Sequence, residues 1–173
     1  METVHLYDAK TPEFKFALRH DLIDRPEFLP TKANPTDTGW DVRCAEKDGA
    51  ILYRDSYHMI SLGFRVLAPT GYWLKLVPRS STFIKKHLHA LYGTIDETYS
   101  GIVSFCCQMQ HPSHLLVEPW EEKNNRIEFG DRIGQLIPVR RQEMIVSSIS
   151  NEEIDKAFKE RGERGGFGSS GQK

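Results

Sequence analysis

The hydrophobic residues of this chain fall into short runs of strand length. Alternating or continuous apolar runs occur at FKFAL near Phe14, AILYR from Ala50, SLGFRVL from Ser61, YWLKLV from Tyr72, GIVSFCCQM from Gly101 and GQLIPV from Gly134. Each run is bounded by Gly, Pro, Asp or Ser, the residues that commonly end strands. Many short strands with little helix predict an all-β domain, either a closed barrel or a two-sheet sandwich.

Turn and helix signals are few. Pro69-Thr70-Gly71 stands between two apolar runs, where Pro fixes its backbone angle and Gly accepts a positive one, so a hairpin turn is predicted there. Helices are predicted only from Ser80 to about His89 and from Asn151 to Lys159, both opening on residues that cap helices.

Length and composition indicate one domain. The chain has 173 residues, of which 39% are hydrophobic, enough for a single core spanning residues 1–160. Three prolines with weak periodicity predict a surface loop at 21–38, and residues 110–129 read as an insertion. The Gly-rich residues 161–173 are predicted to form a flexible C-terminal tail.

Charge and cysteine content exclude several classes of protein. Lys and Arg number 23 against 24 acidic residues, with no long block of like charge, so no stable nucleic-acid partner is expected. No apolar run approaches the roughly 18 residues of a membrane span, and the N-terminus lacks a secretory pattern. Three cysteines, Cys44, Cys106 and Cys107, indicate free thiols and a cytoplasmic protein.

Two segments carry candidate chemistry, each with a plainer alternative. In VPRSST, Arg79, Ser80 and Ser81 stand at a predicted helix start and suit an anion site, or else a serine cap beside a solvent-facing arginine. In GTIDETYSG, Asp96 is placed to take a proton from an attacking water, or else its side chain bonds the backbone of its own turn.

Two further segments carry polar groups. FGDRIGQLI places the amide of Gln135 on a strand, where it can donate to a phosphate oxygen. The tail ERGERGGFGSSG combines guanidinium groups, backbone N–H groups and an aromatic ring, a set suited to wrapping a phosphorylated ligand. The alternative for this tail is a disordered terminus.

Together with DTGWD at Asp37 to Asp41, these segments resemble the five ordered motifs of the trimeric dUTPases. The resemblance spans roughly residues 37–171. It implies a distorted jelly-roll β-barrel and a homotrimer with active sites at subunit interfaces. The C-terminal tail would close over the site of another subunit.

The resemblance also implies an activity: dUTP is hydrolysed to dUMP and pyrophosphate, which limits uracil incorporation into DNA and supplies dUMP for thymidylate synthesis. Asp96 would orient the water that attacks the α-phosphorus. Tyr99 would lie against the deoxyribose, and the backbone of Gly93 would pair with uracil.

The resemblance assigns the other ligand contacts as well. Asp41 would help to hold Mg²⁺ through water, while the triphosphate chelates most of the ion. Either Arg161 or Arg164 would bind the γ-phosphate, because the tail has one more residue between Arg161 and Phe167 than the family usually shows. The triphosphate would be bound by Arg79, Ser80, Ser81 and Gln135, and the closed tail would add Phe167 over the uracil and Gly168, Ser169 and Ser170 along the phosphates.

Two rival functions share this fold. A dCTP deaminase needs a catalytic glutamate at a position that falls on Cys106 here. A dUTP-responsive regulatory protein would use the nucleotide as a signal, with the N-terminal segment or residues 110–129 contacting a partner. The sequence also departs from the family in its second motif, where Ser81-Thr82 stands in place of the Gly-Leu of many members.

Overall fold

The computed structural model describes residues 11–53, 56–109 and 126–162. These residues form eleven β-strands and two α-helices, which confirms the all-β prediction. The strands are β1 Lys15–Leu18, β2 Trp40–Arg43, β3 Ala50–Ile51, β4 Tyr57–Ser61, β5 Phe64–Leu67, β6 Tyr72–Pro78, β7 Leu88–Ala90, β8 Gly93–Ile95, β9 Ser104–Met109, β10 Arg126–Ile127 and β11 Arg132–Arg140; the helices are α1 Ser80–Lys86 and α2 Asn151–Arg161.

The strands pair into four antiparallel sheets within the described residues. The largest has the order β2-β11-β6-β8, and a three-stranded sheet has the order β4-β9-β7. Two short ladders, β1-β5 and β10-β3, complete the pairing. Neighbours in the sheets are mostly distant in sequence, as expected for a jelly-roll arrangement rather than a series of hairpins.

One apolar core joins the two larger sheets. Leu76 and Leu136 of the four-stranded sheet and Phe105 of β9 belong to the same buried cluster, and each is at most 2% exposed. The backbone of β11 comes close to β9, because a Cβ atom at Gly134 would lie 3.1 Å from the Phe105 ring. Each fully buried side chain of this size contributes about 1.5–3 kcal/mol. Packed sheets of this kind agree with the predicted jelly-roll fold.

The turn at Pro69–Gly71 forms as predicted, but it does not make a hairpin. Gly71 has a φ of 81°, and the Tyr72 N–H donates to the Pro69 carbonyl at 3.1 Å. However, β5 pairs with β1, whereas β6 pairs with β11 and β8. The prediction of a hairpin was therefore wrong, since a turn signal specifies a local backbone shape and not the partner of the strand that follows.

Both predicted helices are present, with different ends. The first stops at Lys86 because His87 adopts the left-handed conformation, with φ 51°, and Leu88 begins a strand. The second begins at Asn151, as predicted, but its N-cap is Ser150, one residue before the predicted cap, and Ser150 forms a capping box with Glu153. It continues to Arg161, where Gly162 ends it at φ 74°.

The proline-rich segment 21–38 is more ordered than a plain surface loop. It contributes to two 3₁₀ helices, His20–Leu22 and Pro26–Phe28, and it forms a β-bridge from Thr31 to Asp41. Leu22 and Phe28 are buried in a small second core, and the Phe28 and Phe129 rings lie 4.7 Å apart. Prolines obscure the periodicity of this segment but do not prevent it from packing.

The chain divides into two compact units, Met1–Arg141 and Gln142–Lys173. In the second unit, residues 142–150 have no regular structure and precede α2. Met144, Ile145 and Val146 there are 83%, 98% and 81% exposed. Within the described residues, no helix has the length and apolar character that crossing a membrane requires.

Candidate active site

A pocket of about 320 Å³ forms where β2, β11 and β6 lie side by side. Asp41 of β2 is the register partner of Gln135 on β11, and Gln135 is in turn opposite Val77 of β6. Arg79 follows β6 directly. Three predicted residues from distant motifs thus meet in one pocket, which is lined by Ala33, Asp37, Thr38, Gly39, Asp41, Arg79 and Gln135.

Two arginines neutralise the carboxylate of Asp41. Oδ1 lies 3.0 Å from the Nε of Arg79, and Oδ2 lies 3.0 Å from Nη1 of Arg132. Asp41 is only 8% exposed, so an unpaired charge there would be costly. Asp37 adds a second carboxylate to the lining, so the two carboxylates balance the two guanidinium groups, and Arg79 is the cationic group in the lining that can face an anionic ligand.

The plainer interpretation of VPRSST is wrong in both its parts. Arg79, and not a serine, occupies the N-cap position of α1, and no side chain forms a capping hydrogen bond there. The Arg79 side chain is 25% exposed and pairs with Asp41 instead of facing solvent. Ser80 and Ser81 are the first two residues of the helix, adjacent to the pocket but outside its lining.

Asp96 is exposed and lies in the turn that follows β8. The Tyr99 N–H donates to the Asp96 carbonyl at 3.0 Å, so the backbone closes this turn and not the carboxylate. The Tyr99 hydroxyl donates to the Ile102 carbonyl at 3.0 Å and lies over Gly101, where a Cβ atom would be 2.6 Å away. Gly101 thereby gives the ring room to fold back.

This turn does not connect two paired strands. The preceding strand β8 pairs with β6, whereas the following strand β9 pairs with β4 and β7. The segment from Gly93 to Gly101 therefore contains a turn but does not form a hairpin. Gly93 is half-buried at the start of β8, opposite Leu76.

A second pocket, of about 410 Å³, lies around Asp96, and two neighbours hold its turn in place. The Glu97 carboxylate accepts the Gly71 N–H at 2.9 Å and lies 3.1 Å from Nη1 of Arg141. The lining is Tyr72, Trp73, Thr94, Asp96, Glu97, Thr98 and Arg141, none of which lines the pocket at Asp41.

Asp96 and Arg79 lie at opposite ends of β6. Ile95, next to Asp96, is paired with Leu74 near the start of the strand, whereas Arg79 follows its last residue, Pro78. At about 3.3 Å per residue, the strand separates the two positions by roughly 20 Å. The described part of one chain therefore does not bring the predicted base and the predicted phosphate ligands together.

Most of the residues predicted to bind ligand in the C-terminal tail lie outside the described residues. Arg161 is exposed and is the last residue of α2. Outside the described residues lie Arg164, Phe167, Gly168, Ser169 and Ser170.

The pocket at Asp41 suits a metal ion that brings most of its own ligands. Among the described residues, no group of three or more His, Cys, Asp or Glu side chains could hold a metal ion. The pocket is lined by the carboxylates of Asp37 and Asp41 and the amide of Gln135, and because both oxygens of Asp41 are paired with arginines, Asp41 would contact an ion through water. Magnesium requires only one or two protein carboxylates when it is chelated by phosphates and water, so this donor set fits it.

The sequence model of the dUTPase family matches residues 26–171. The chain belongs to the dUTPase family. A deoxyuridine 5'-triphosphate nucleotidohydrolase of Debaryomyces hansenii is 29% identical over 95% of this chain and 94% of that protein. One of Candida albicans is 31% identical over 83% of this chain and 81% of that protein.

Solved structures of phage dUTPases share the fold of this family member. A dUTPase mutant of Staphylococcus bacteriophage 80alpha aligns with a TM-score of 0.69 at 23% identity, covering 91% of this chain and 98% of that chain. A mutant dUTPase from phage phi11 of S. aureus aligns with a TM-score of 0.65 at 22% identity, covering 82% and 99%.

The structure bears on one departure from the dUTPase pattern, at Thr82, and on one difference from the deaminase pattern, at Cys106. Thr82 is 2% exposed, and its hydroxyl donates to the Ile133 carbonyl at 2.9 Å, which ties α1 to β11. Cys106 lies on β9 opposite Met59, so the position that would carry a deaminase glutamate has no carboxylate.

Sequence reasoning did not single out Arg132, Glu97 or Arg141. Arg132 makes an ion pair with Asp41, and Glu97, next to Asp96, makes an ion pair with Arg141. Arg132 is part of the FGDRIGQLI segment, but a strand sequence does not show that it reaches Asp41 on another strand. Glu97 follows Asp96, and only the fold reveals its contacts to Gly71 and Arg141.

Proposed function

We propose that this dUTPase-family protein hydrolyses dUTP to dUMP and pyrophosphate. The observation that carries the proposal is the convergence of Asp41, Arg79 and Gln135, from three motifs, in one pocket whose lining includes the Arg79 guanidinium. Removal of dUTP and supply of dUMP would limit uracil in DNA and feed thymidylate synthesis.

In the proposed reaction, the Asp96 carboxylate takes a proton from a water that attacks the α-phosphorus. A bond forms from the water oxygen to this phosphorus, and the bond to the bridging oxygen breaks, releasing pyrophosphate. Asp96 is exposed at a turn fixed by backbone hydrogen bonds, a position open to solvent and to substrate. A positioned base of this kind contributes about 10²–10⁴ in rate.

Recognition of the base and sugar is assigned to the same turn. The folded-back ring of Tyr99 would lie against the deoxyribose and exclude a 2′-hydroxyl, while the backbone of Gly93 would pair with uracil. Fixed polar partners of this kind discriminate steeply, since a wrong base leaves buried donors and acceptors unpaired.

The triphosphate is assigned to the pocket at Asp41. Arg79 and Gln135 line that pocket, and Ser80 and Ser81 lie beside it at the start of α1. The 161–173 tail would close the site: Arg161 or Arg164 would bind the γ-phosphate, Phe167 would stack on uracil, and Gly168, Ser169 and Ser170 would line the phosphates.

Mg²⁺ is the proposed cofactor. Asp41 would hold it through water, with the triphosphate supplying further ligands. When bound, the ion would offset negative charge on the phosphate oxygens as pyrophosphate leaves. The phage phi11 dUTPase structure, a relative in fold, describes the coordination of a structural Mg(II) ion.

The active assembly is proposed to be a homotrimer with shared sites. The roughly 20 Å that β6 places between Asp96 and Arg79 supports it, because a second copy can supply the missing half of each site. The exposed apolar residues Met144, Ile145 and Val146 also favour burial against another copy. Three free thiols agree with a reducing, cytoplasmic compartment.

A pyrophosphate-release assay with dUTP, dTTP, UTP and dCTP in the presence of Mg²⁺ tests the activity. We expect hydrolysis of dUTP alone, abolished by Asp96→Asn, which keeps the size of the side chain but removes the base. Release of ammonia from dCTP would instead indicate a deaminase. Tight binding of dUTP without turnover would indicate the regulatory protein.

Mixed assemblies test the shared site. Asp96→Asn and Arg79→Ala copies are each expected to be inactive. If each site takes Asp96 from one copy and Arg79 from a neighbour, random equal mixing in closed rings restores about a quarter of the sites. No recovery after co-refolding, or a fully active monomer by mass measurement, would contradict the shared-site assembly.

A further inference from the structure

Arg132 reaches the face of Asp41 through an irregularity in β11. Along a regular strand, residues three apart point to opposite faces. The pairing of β11 with β2 shifts between Arg132 and Gly134, so Arg132 is opposite Arg43 while Gln135 is opposite Asp41. This β-bulge allows Arg132 and Gln135, three residues apart, to serve the same side of the sheet.

The burial of the intervening strand supports this bulge. Ile133 is 0% exposed and Leu136 is 1% exposed, although they too are three residues apart. Both therefore face the core, which a regular alternation would not allow. Bulges often re-aim a side chain near functional sites, and here the re-aimed side chain is a guanidinium.

Among the described residues, the contact of Arg132 with the site is made to Asp41. Its Nη1 bonds Oδ2 at 3.0 Å, but Arg132 does not line the pocket, and its side chain is 42% exposed. Arg79, on the other oxygen, lines the pocket and is 25% exposed. The two arginines thus differ in position: Arg79 lines the pocket, whereas Arg132 contacts the shared carboxylate from outside the pocket lining.

We propose that Arg132 is a positioning residue for triphosphate recognition. It fixes the rotamer of Asp41, and Asp41 fixes the guanidinium of Arg79 through its Nε, which leaves the terminal nitrogens of Arg79 free to face phosphate oxygens. Without Arg132, Asp41 can turn fully toward Arg79 and compete with phosphate for its donors. The inference rests on the proposed function, since it assumes that Arg79 binds the polyphosphate.

This role predicts a selective effect on ligands. Arg132→Gln is expected to weaken binding of a non-hydrolysable imido analogue of dUTP by about 10- to 100-fold, the range for loss of a charged hydrogen bond. Binding of dUMP, which lacks the β- and γ-phosphates, is expected to stay within about twofold. In turnover, KM for dUTP rises by more than kcat falls.

Two variants separate positioning from general effects. Arg132→Lys restores one charged donor to Asp41 and is expected to recover most of the affinity. Arg43→Gln is the matched control: it removes an arginine from the same ladder, but that side chain bonds the carbonyls of Glu27 and Gly130. It is expected to leave analogue binding unchanged.

Isothermal titration with inorganic triphosphate keeps this test independent of the proposed activity. If the protein binds triphosphate and Arg132→Gln weakens that binding, the positioning role of Arg132 is supported even if dUTP is not hydrolysed. Equal loss of dUMP and analogue binding, or unchanged analogue binding in a folded Arg132→Gln protein, would overturn the inference. If Arg132→Gln does not fold, Arg132→Lys, which keeps the charge, and Arg132→Met, which removes it, are compared instead. The affinities of both variants for the imido analogue and for dUMP then test the inference.

Discussion

Glu97 and Arg141 form an ion pair in which Oε2 lies 3.1 Å from Nη1, and the same oxygen accepts the N–H of Gly71 at 2.9 Å. The Arg141 N–H donates in turn to the Gly71 carbonyl at 2.8 Å. One side chain therefore joins three separate pieces of chain beside Asp96: its own turn, the turn at Gly71 and the end of β11.

Replacement of Glu97 should loosen the turn that carries Asp96. Because the Glu97 side chain is 27% exposed, we expect Glu97→Ala to lower the free energy of unfolding by only about 1 kcal/mol. We expect a larger effect on kcat, about tenfold, since small misplacement of a base is costly. Glu97→Gln, which keeps an acceptor for Gly71 but loses the charge, should fall between. A wild-type kcat for Glu97→Ala would refute this role.

Thr82 should matter for stability through its hydroxyl. Thr82→Val keeps the shape but removes the buried donor to the Ile133 carbonyl, so the free energy of unfolding should fall by about 1–3 kcal/mol. Thr82→Ser retains the donor and loses one methyl, at a cost of about 0.8 kcal/mol. Urea unfolding of both variants checks the order; a more stable Val variant than Ser variant would contradict it.

Gly39 should control the amide of Gln135. A Cβ atom at Gly39 would lie 2.6 Å from Oε1 and 3.1 Å from Cβ of Gln135. Gly39→Ala is therefore expected to displace this amide and to raise KM for dUTP, by about tenfold if one neutral hydrogen bond is lost. In a double-mutant cycle, Gly39→Ala should add little to Gln135→Ala. If the effects of the two substitutions on KM were fully additive, Gly39→Ala would not act through the Gln135 amide.

The two buried thiols predict a loss of stability at high pH. Burial raises the pKa of Cys44 to about 11 and that of Cys107 to about 12, from about 9 in the unfolded chain. Below pH 9 both states are protonated and stability is unaffected. Above it the unfolded chain ionises first, so each thiol lowers stability by about 1.4 kcal/mol per pH unit until its folded pKa is reached.

Chemical denaturation between pH 8 and 11 checks this slope. Cys107→Ala should reduce it, although removal of the buried sulfur also lowers stability at pH 8. Thiolate, the reactive form, is scarce for these two groups, so an alkylating reagent at pH 8 should spare both in the folded protein. Rapid alkylation of Cys107 without global unfolding would contradict this expectation and would show that the core around Cys107 opens locally.

The fold class was predictable, and the candidate residues that line the pocket at Asp41 could be proposed, because strand signals and motifs are local. Alternating runs located β6, β9 and β11, and the motif order brought Asp41, Arg79 and Gln135 into consideration. Pairing was not predictable, because a turn at Gly71 or Asp96 does not reveal which distant strand the next segment joins. The short strand β8 lies in a segment with too little periodicity to mark it.

Charge pairing across strands escaped prediction for a related reason. The contact of Arg132 with Asp41 depends on a bulge that moves one side chain to the other face of β11. Periodicity arguments assume regular alternation, and they place Arg132 on the wrong side. The Glu97–Arg141 pair likewise depends on where the end of β11 meets the Gly71 turn.

The ladder between β2 and β11 also governs when the pocket at Asp41 can form. Asp41 and Gln135 are direct partners although more than half of the chain lies between them. On a ribosome, Asp41 and Arg79 emerge well before β11, so the pocket lacks Gln135 and the Arg132 contact until that strand has emerged. Such distant pairing slows folding, so we expect the pocket to be the last part of the domain to mature and the first part that a truncated translation product lacks.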